Sequence, residues 1–526
     1  MPFSSLSFFI FLAALGTTYF LIPKKYQWVL LLTGSYVFYL YSDVRLVMYI
    51  LFSTISSYVG AHLVQRQNDA LTQAPGGDNS TLVTKKKKLI LILVLVSNFG
   101  ILAYFKHLNA LIGYANGVFD VTGVNFDFEK TSLILPLGIS FYTFQSMGYL
   151  IDVYRGEFKP ERNIARYALF VSFFPQLIQG PISRYSELGR QLYAPHFFDL
   201  ARAKHGMLLM LWGFFKKLVI ADRIAIITGS ILAEGDPRGM YVVVLGVAYS
   251  FQIYADFSGG VDIARGVAQI LGINLPHNFL RPYFAKTMPE FWRRWHVTLN
   301  NWWRDYIFYP VAFSNAFMKI GRYYRSRGKK KTAKYLPVYS STMIVRVVNA
   351  LWHGASVKYL ANGVYNGLVI ILGMQMEPAF GRLAKFLHID TECFMWQIFR
   401  MVRTFFLVTV ARLITVAPRF LVAVSMFLSL GDIFKPESGN SYRILYNGDL
   451  FDLTFHYRVW GVLFVCMAVW FVADILNEKG IVVRRALEKQ RLAVQWIAIL
   501  ALVGAVALFG VYGPQYSSAA FIYQQF

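Results

Sequence analysis

Two histidines stand in the surroundings best suited to chemistry. His296 ends Pro289-Glu290-Phe291-Trp292-Arg293-Arg294-Trp295-His296, and His353 lies in Asn349-Ala350-Leu351-Trp352-His353-Gly354. With an ordinary pKa near ~6.5, a neutral imidazole takes a proton from a hydroxyl and hands it on. An apolar setting favours that neutral form. A hydroxyl activated in this way can attack an acyl thioester. No Gly-x-Ser-x-Gly elbow accompanies the histidines, so the motifs do not indicate a covalent acyl-serine.

Each histidine belongs to a helical pattern. Read as one helix, Phe291–Tyr306 places Trp292, Trp295, Leu299, Trp302, Trp303 and Tyr306 on an aromatic stripe. Arg293, His296, Asn300 and Arg304 form an adjacent polar stripe. The same pattern fits an interfacial helix with arginines on headgroups and an incidental histidine, and both readings stand. In Ser341–Ala355 a helix carries Arg346, Asn349 and His353 on one face. The alternative there is a histidine that only hydrogen-bonds a neighbouring helix. A third cluster, Gln252–Asp262, holds Asp256, Ser258 and Asp262 in an apolar setting. An acid there pairs with Arg293, Arg294 or Arg304, or belongs to a structural ion pair. His62, His107, His196, His205, His277, His388 and His456 lack comparable neighbours. No HExxH, Walker loop or dinucleotide fingerprint is present.

The elements that must position these groups are membrane helices. The 526 residues are 56% hydrophobic and 15% charged, against about a quarter charged in soluble domains. Apolar runs at Leu6–Ile22, Trp28–Leu40, Val44–Val64, Leu89–Tyr104, Leu133–Val153, Met240–Tyr254, Met401–Val416, Phe420–Leu430, Val459–Phe471 and Leu492–Tyr512 approach a bilayer span. They are continuous rather than alternating, which selects helices over a barrel and predicts an all-α polytopic membrane protein. Phe170–Gly180 is short and reads as re-entrant, while Met207–Thr228 and Phe251–Leu271 carry ionisable groups expected to face a polar interior.

The net charge of +24, from 52 Lys+Arg against 28 Asp+Glu, lies in loops between the runs. That placement fits anionic lipid headgroups and the positive-inside rule, and argues against nucleic acid as partner. Gln65–Lys88, Arg155–Arg166, Lys319–Lys334 and Lys479–Arg491 read as basic loops, and Lys106–Lys130 as an external loop. Counting back from Lys85–Lys88 puts the N-terminus outside. The start lacks a basic n-region and reads as a retained membrane helix. Cys393 and Cys466 are two thiols in or near apolar segments, too few for a disulfide framework or a thiolate metal site. The whole reads as one membrane-embedded domain, with N-terminal spans in 1–165, a polar-lined core in 166–375 and C-terminal spans in 376–526.

Taken in order, these stretches resemble the membrane-bound O-acyltransferase family, its alginate O-acetylase branch in particular. The likeness runs through Met1–Ser5, Pro136–Phe144, Asp152–Gly156, Phe174–Pro181, Gly213–Lys217, Ile220–Arg223, Tyr254–Asp262, Pro289–Tyr306, Leu351–Ala355 and Phe521–Tyr523. Gly260-Val261, Val311–Ser314 and Asn349-Ala350 depart from the family's usual residues and leave both histidines intact.

The resemblance implies a funnel of about a dozen transmembrane helices with re-entrant and interfacial helices. It implies catalytic His353 and His296, with Asn300, Asn349, Arg293, Arg304, Asp256 and Ser258 along a substrate or donor tunnel. The expected activity is O-acyl transfer in a bacterial cytoplasmic membrane, from a cytoplasmic thioester to an exported polysaccharide or cell-wall glycan. The expected donor is acetyl-CoA, with no bound cofactor or metal and with an extracytoplasmic acyltransferase as possible partner. Alternatives are D-alanyl transfer to teichoic acid from a phosphopantetheine carrier, or a proton-coupled transporter.

Overall fold

The computed structural model describes residues 1–73, 80–123, 126–233, 235, 237–433 and 457–512. Every regular element among them is a helix, as expected where lipid leaves backbone groups no outside partner. Six helices are long and apolar enough to cross a membrane: Val44–Gln73, Ser80–Thr122, Met240–Ile270, Val357–Phe386, Val459–Glu478 and Leu492–Phe509. Leu6–Leu21 and Phe420–Asp432 are shorter apolar helices. The chain is a multi-pass helical membrane protein. None of the Leu492–Phe509 window is buried, against 61% of that in Met240–Ile270. The first therefore presents its Leu, Ile and Val to lipid, and the second is an interior helix.

The chain divides into two compact units. The first takes in Met1–Met210 and Gly260–Pro276. It holds α1 (Leu6–Leu21), α2 (Gln27–Leu40), α3 (Val47–Gln73), α4 (Ser80–Thr122), α5 (Ile139–Arg155), α6 (Ile164–Ser172), α7 (Phe174–Gln179) and α8 (Tyr185–Tyr193). Buried polar contacts tie these helices together: Ser53 with Ser146 at 2.9 Å, Ser57 with Tyr167 at 2.7 Å, and the Gln145 amide donating to the Phe170 carbonyl at 3.0 Å.

Several boundaries differ from the sequence reading, each for a local reason. The expected Leu133–Val153 span starts only at Ile139. Pro136 and the left-handed Gly138 precede it, and a Cβ on Gly138 would lie 2.4 Å from the Leu177 carbonyl oxygen. Phe170–Gly180 is broken at Phe173, and α7 is buried along its whole length. The expected loop Lys106–Lys130 is helical to Thr122, because backbone hydrogen bonding continues past the apolar run. The expected loop Gln65–Lys88 is helical to Gln73 and from Ser80.

The second unit takes in the described parts of Leu211–Gly259 and His277–Ile522. α9 (Leu200–Phe214), most of which belongs to the first unit, leads through a π-helical segment, Phe215–Ala221, into α10 (Asp222–Ala233). α11 (Met240–Ile270) merges the expected Met240–Tyr254 and Phe251–Leu271 segments into one helix. Then come α12 (Met288–Arg294), α13 (Val297–Trp303), α14 (Tyr309–Ala312), α15 (Asn315–Ser326) and α16 (Lys330–His353). α17 (Val357–Phe386), α18 (Phe394–Val416), α19 (Phe420–Ser429), α20 (Tyr457–Glu478), α21 (Val483–Glu488) and α22 (Leu492–Phe509) complete it.

The basic segment Lys319–Lys334 is thus not a loop but a helical hairpin of α15 and the start of α16. Ser314 caps α15 through the Phe317 N–H, and Gly328 turns the chain at φ 74°. α16 lies close against α17, where Gly363 allows near contact: a Cβ there would stand 2.6 Å from the Ala350 Cβ.

Candidate active site

The aromatic-histidine stretch is two short helices rather than the single helix its periodicity predicts. Thr287 caps α12 by accepting the Glu290 N–H. The chain then leaves helix at Trp295, and His296 takes a left-handed conformation with φ 45°. A non-glycine residue there carries strain of order 1–3 kcal/mol, sustained only where the surroundings over-determine it. They do so here. The Leu280 N–H donates to the Arg294 carbonyl and the Val297 N–H to the Asn278 carbonyl, each at 2.9 Å, so the turn is stitched to the preceding segment.

The His296 side chain is buried, 2% exposed. Its Nδ1 lies 3.1 Å from Asn278 Oδ1. That oxygen also accepts the Thr298 backbone N–H at 3.2 Å and the Thr298 hydroxyl at 2.9 Å. A backbone N–H is unambiguously a donor, so the amide oxygen faces this way and His296 Nδ1 carries the hydrogen. Nε2 is then the basic nitrogen of the ring. Burial holds the His296 pKa down to about 3, so the imidazole is neutral at physiological pH.

His353 is the last residue of α16 and is half-buried. Its ring lies 4.5 Å from that of Trp352 and 6.2 Å from that of Tyr359, centroid to centroid. Gly354 follows, where a Cβ would meet the Tyr359 ring at 2.9 Å. Trp352 also stands edge-on to His296 at 6.4 Å. The structure therefore brings both histidines against one indole, and Phe257 stands edge-on to His296 at 4.8 Å.

The expected polar face of α16 is formed. The Asn349 Oδ1 accepts the Trp303 indole N–H at 3.1 Å. The Arg346 Nη2 donates to Asn300 Oδ1 at 3.2 Å, and its guanidinium lies 4.2 Å over the Trp292 ring. Asn300 in turn donates to the carbonyls of Trp295 at 2.7 Å and His296 at 3.2 Å. These contacts lock α16 to the strained turn. Arg293 and Arg304 stand elsewhere. Arg293 is exposed, and Arg304 points to its neighbour Asp305 at 2.8 Å with half its side chain in the open. The break at His296 divides the polar stripe that was to align them with it.

Asp256 and Ser258 belong to a separate buried cluster. Lys217 bridges Asp256 at 2.7 Å and Asp222 at 2.8 Å, and the neighbouring Lys216 reaches Ser258 at 2.9 Å. Asp256 was expected to pair with Arg293, Arg294 or Arg304, or to form a structural ion pair; its partner is Lys217, and Arg294 instead pairs with Glu290 and Glu478 at 2.8 Å each. The π-helical segment turns both lysines inward, which periodicity alone does not reveal. Asn278, the partner of His296, was likewise missed, because it lies 18 residues away in an unpatterned connection. The two cysteines are free thiols.

Residues 161–416 match the family model described as MBOAT, membrane-bound O-acyltransferase family. The probable alginate O-acetylase AlgI of Pseudomonas syringae pv. tomato is 32% identical over 82% of this chain and 76% of its own length. The peptidoglycan O-acetyltransferase of Helicobacter pylori is 31% identical over 54% of this chain and 55% of its own. The teichoic acid D-alanyltransferase of Streptococcus thermophilus is 29% identical over 50% of this chain and 61% of its own.

Proposed function

The chain belongs to the membrane-bound O-acyltransferase family, and from that premise we propose that it passes an acetyl group from a cytoplasmic thioester, acetyl-CoA, to a hydroxyl of an exported polysaccharide or cell-wall glycan. It is an O-acyltransferase; the transporter reading gives way to this. The acetyl group and the glycan acceptor are supported by relatives named for alginate and peptidoglycan O-acetylation.

In this reading His353 is the general base. Its imidazole takes the acceptor hydroxyl proton as the oxygen bonds to the thioester carbonyl carbon. The tetrahedral adduct then expels the thiolate, and the imidazolium returns the proton to sulfur, leaving an ester and a free thiol. No metal is required, and none of the steps needs a resident cofactor. His296, neutral and fixed by Asn278, faces the same indole and orients the thioester. The observation that carries the assignment is that both histidines stand against Trp352, His296 buried and His353 half-buried. A base must meet solvent-borne substrate, so the half-buried one is assigned the proton transfer.

In this reading the basic run Lys85–Lys88 supports an N-terminus outside the cytoplasmic membrane, and the lysines and arginines of the α15–α16 hairpin support its lying inside. Residues 1–526 act as one membrane-embedded domain, with 166–375 as its catalytic core, and anionic headgroups meet the basic hairpin. An extracytoplasmic acyltransferase is the expected partner on the acceptor side of the membrane. The test is acyl transfer from labelled acetyl-CoA by protein in proteoliposomes, with D-alanyl carrier protein as the competing donor. Turnover of the carrier thioester and not of acetyl-CoA would move the chain to the D-alanyl reading.

A further inference from the structure

Arg346 has chemistry left unsatisfied. It is nine-tenths buried, yet its Nε and Nη1 have no hydrogen-bond partner and the guanidinium has no carboxylate among the described residues. Its contacts are one amide oxygen and the face of Trp292. A buried cation so placed is costly, and an anion that completes its hydrogen bonds removes the penalty.

The position narrows what that anion is. Seven residues separate Arg346 from His353, about 10 Å along the helix axis, and side chains lean toward the N-terminal end, away from His353. A donor to the acyl oxyanion must sit within about 3 Å of the developing charge. Arg346 therefore reads a substrate group remote from the reacting carbon. Toward the start of the same helix the cations continue with Lys334, Lys331 and Lys330, and α15 adds Lys319, Arg322 and Arg325. No acidic residue interrupts Phe313–Tyr335. Such a field concentrates anionic reagents on this side, which is the side assigned to the donor.

We propose that Arg346 binds the phosphate that heads the donor's pantetheine arm, holding the thioester two helical turns further on at His353. The proposal rests on the thioester-donor reading above. That phosphate is common to coenzyme A and to a carrier-borne arm, so the site serves either donor.

The test uses the full chain in nanodiscs and two probes, 4′-phosphopantetheine and uncharged pantetheine. The wild type is expected to prefer the phosphorylated probe by about 10- to 100-fold, the range for hydrogen bonds to a charged group. Arg346→Gln keeps an N–H for Asn300 but loses the charge, and is expected to abolish the preference; Arg346→Lys is expected to keep much of it. Should Arg346→Gln fail to insert, inorganic phosphate titrated into the wild type decides. It is expected to displace phosphopantetheine and leave pantetheine bound. A folded Arg346→Gln that keeps the preference overturns the proposal, as does phosphate without effect. Loss of affinity for an anionic glycan in place of the phosphorylated probe also overturns it, assigning the residue to the acceptor. If the wild type binds neither probe, the thioester-donor reading itself fails.

Discussion

Two buried charged regions of the second unit differ in how their charges are answered. Lys217 meets two opposite charges within 2.8 Å, Asp222 and Asp256. Around Trp352 the imidazoles and the Arg346 guanidinium meet indole faces and amides: His296 and His353 stand against Trp352, His296 Nδ1 meets Asn278, and Arg346 meets Asn300 and Trp292. The first arrangement is self-contained: it fixes the π-helical segment against α11 and leaves little affinity for a ligand. The second holds two histidines and the Arg346 guanidinium, with no carboxylate against that guanidinium among the described residues. Both clusters are costly to bury, but only the second leaves buried donors, Arg346 Nε and Nη1, without a protein partner.

The sharpest way to break this contrast is to remove one group from each. His353→Ala is expected to lower acetyl transfer by about 10²- to 10⁴-fold, the usual contribution of a positioned acid-base group, with insertion and melting temperature unchanged. Full transfer by correctly inserted protein would falsify the assignment.

Asp256→Ala should behave in the opposite way. It leaves Lys217 with one carboxylate in place of two, and breaking a buried ion pair costs about 3–5 kcal/mol. Thermal melts in detergent are expected to drop strongly, and whatever folds should retain its turnover per molecule. Equal melting with lost turnover would merge the two regions and return Asp256 to the tunnel.

How far these regions were legible in the sequence follows from the range of their contacts. The α16 face of Arg346, Asn349 and His353 was visible because it is one uninterrupted helix, where spacing alone aligns side chains. The motif ending in His296 was visible as composition but not as geometry. Its period is helical across the site where the backbone turns left-handed, and nothing in the residue types marks His296 as the exception. Partners across the fold were out of reach: Lys217 lies 39 residues from Asp256, and Asn278 connects to His296 through a segment without periodicity. Membrane helices were clear wherever apolar runs were long. Their ends were not, because α4 runs beyond its apolar stretch and the basic α15–α16 hairpin is helical despite its charge.

A smaller effect sharpens the second region from within. Asn278→Ala removes the oxygen that His296 Nδ1 and Thr298 share. Leaving those buried donors unmet costs about 1–3 kcal/mol. The ring also loses what fixes its tautomer, so turnover is expected to fall about tenfold while Asn278→Asp, which keeps an acceptor, loses less. Melting curves and rates of the two variants, measured side by side, separate the stability loss from the tautomer loss. Identical turnover in both would show that the tautomer is immaterial.

The mildest expectation concerns pH and sets His296 apart from His353. His296 has an ordinary value of 6.5 and a folded value held down to about 3 by burial. Above pH 6.5 both folded and unfolded chains carry it neutral, and it adds no pH dependence. Between about 6.5 and 3 the unfolded chain binds the proton and the folded chain does not. Stability then falls as the solution is acidified, by roughly 1 kcal/mol per pH unit from this group alone. Melting temperatures of the wild type should therefore decline from pH 7 to pH 5, and those of His296→Phe should decline less. The other ionisable groups are common to both proteins and cancel in the difference. A wild type and His296→Phe that lose stability in parallel would mean that the imidazole gains its proton without unfolding, and that the sealed histidine is in fact reachable from water.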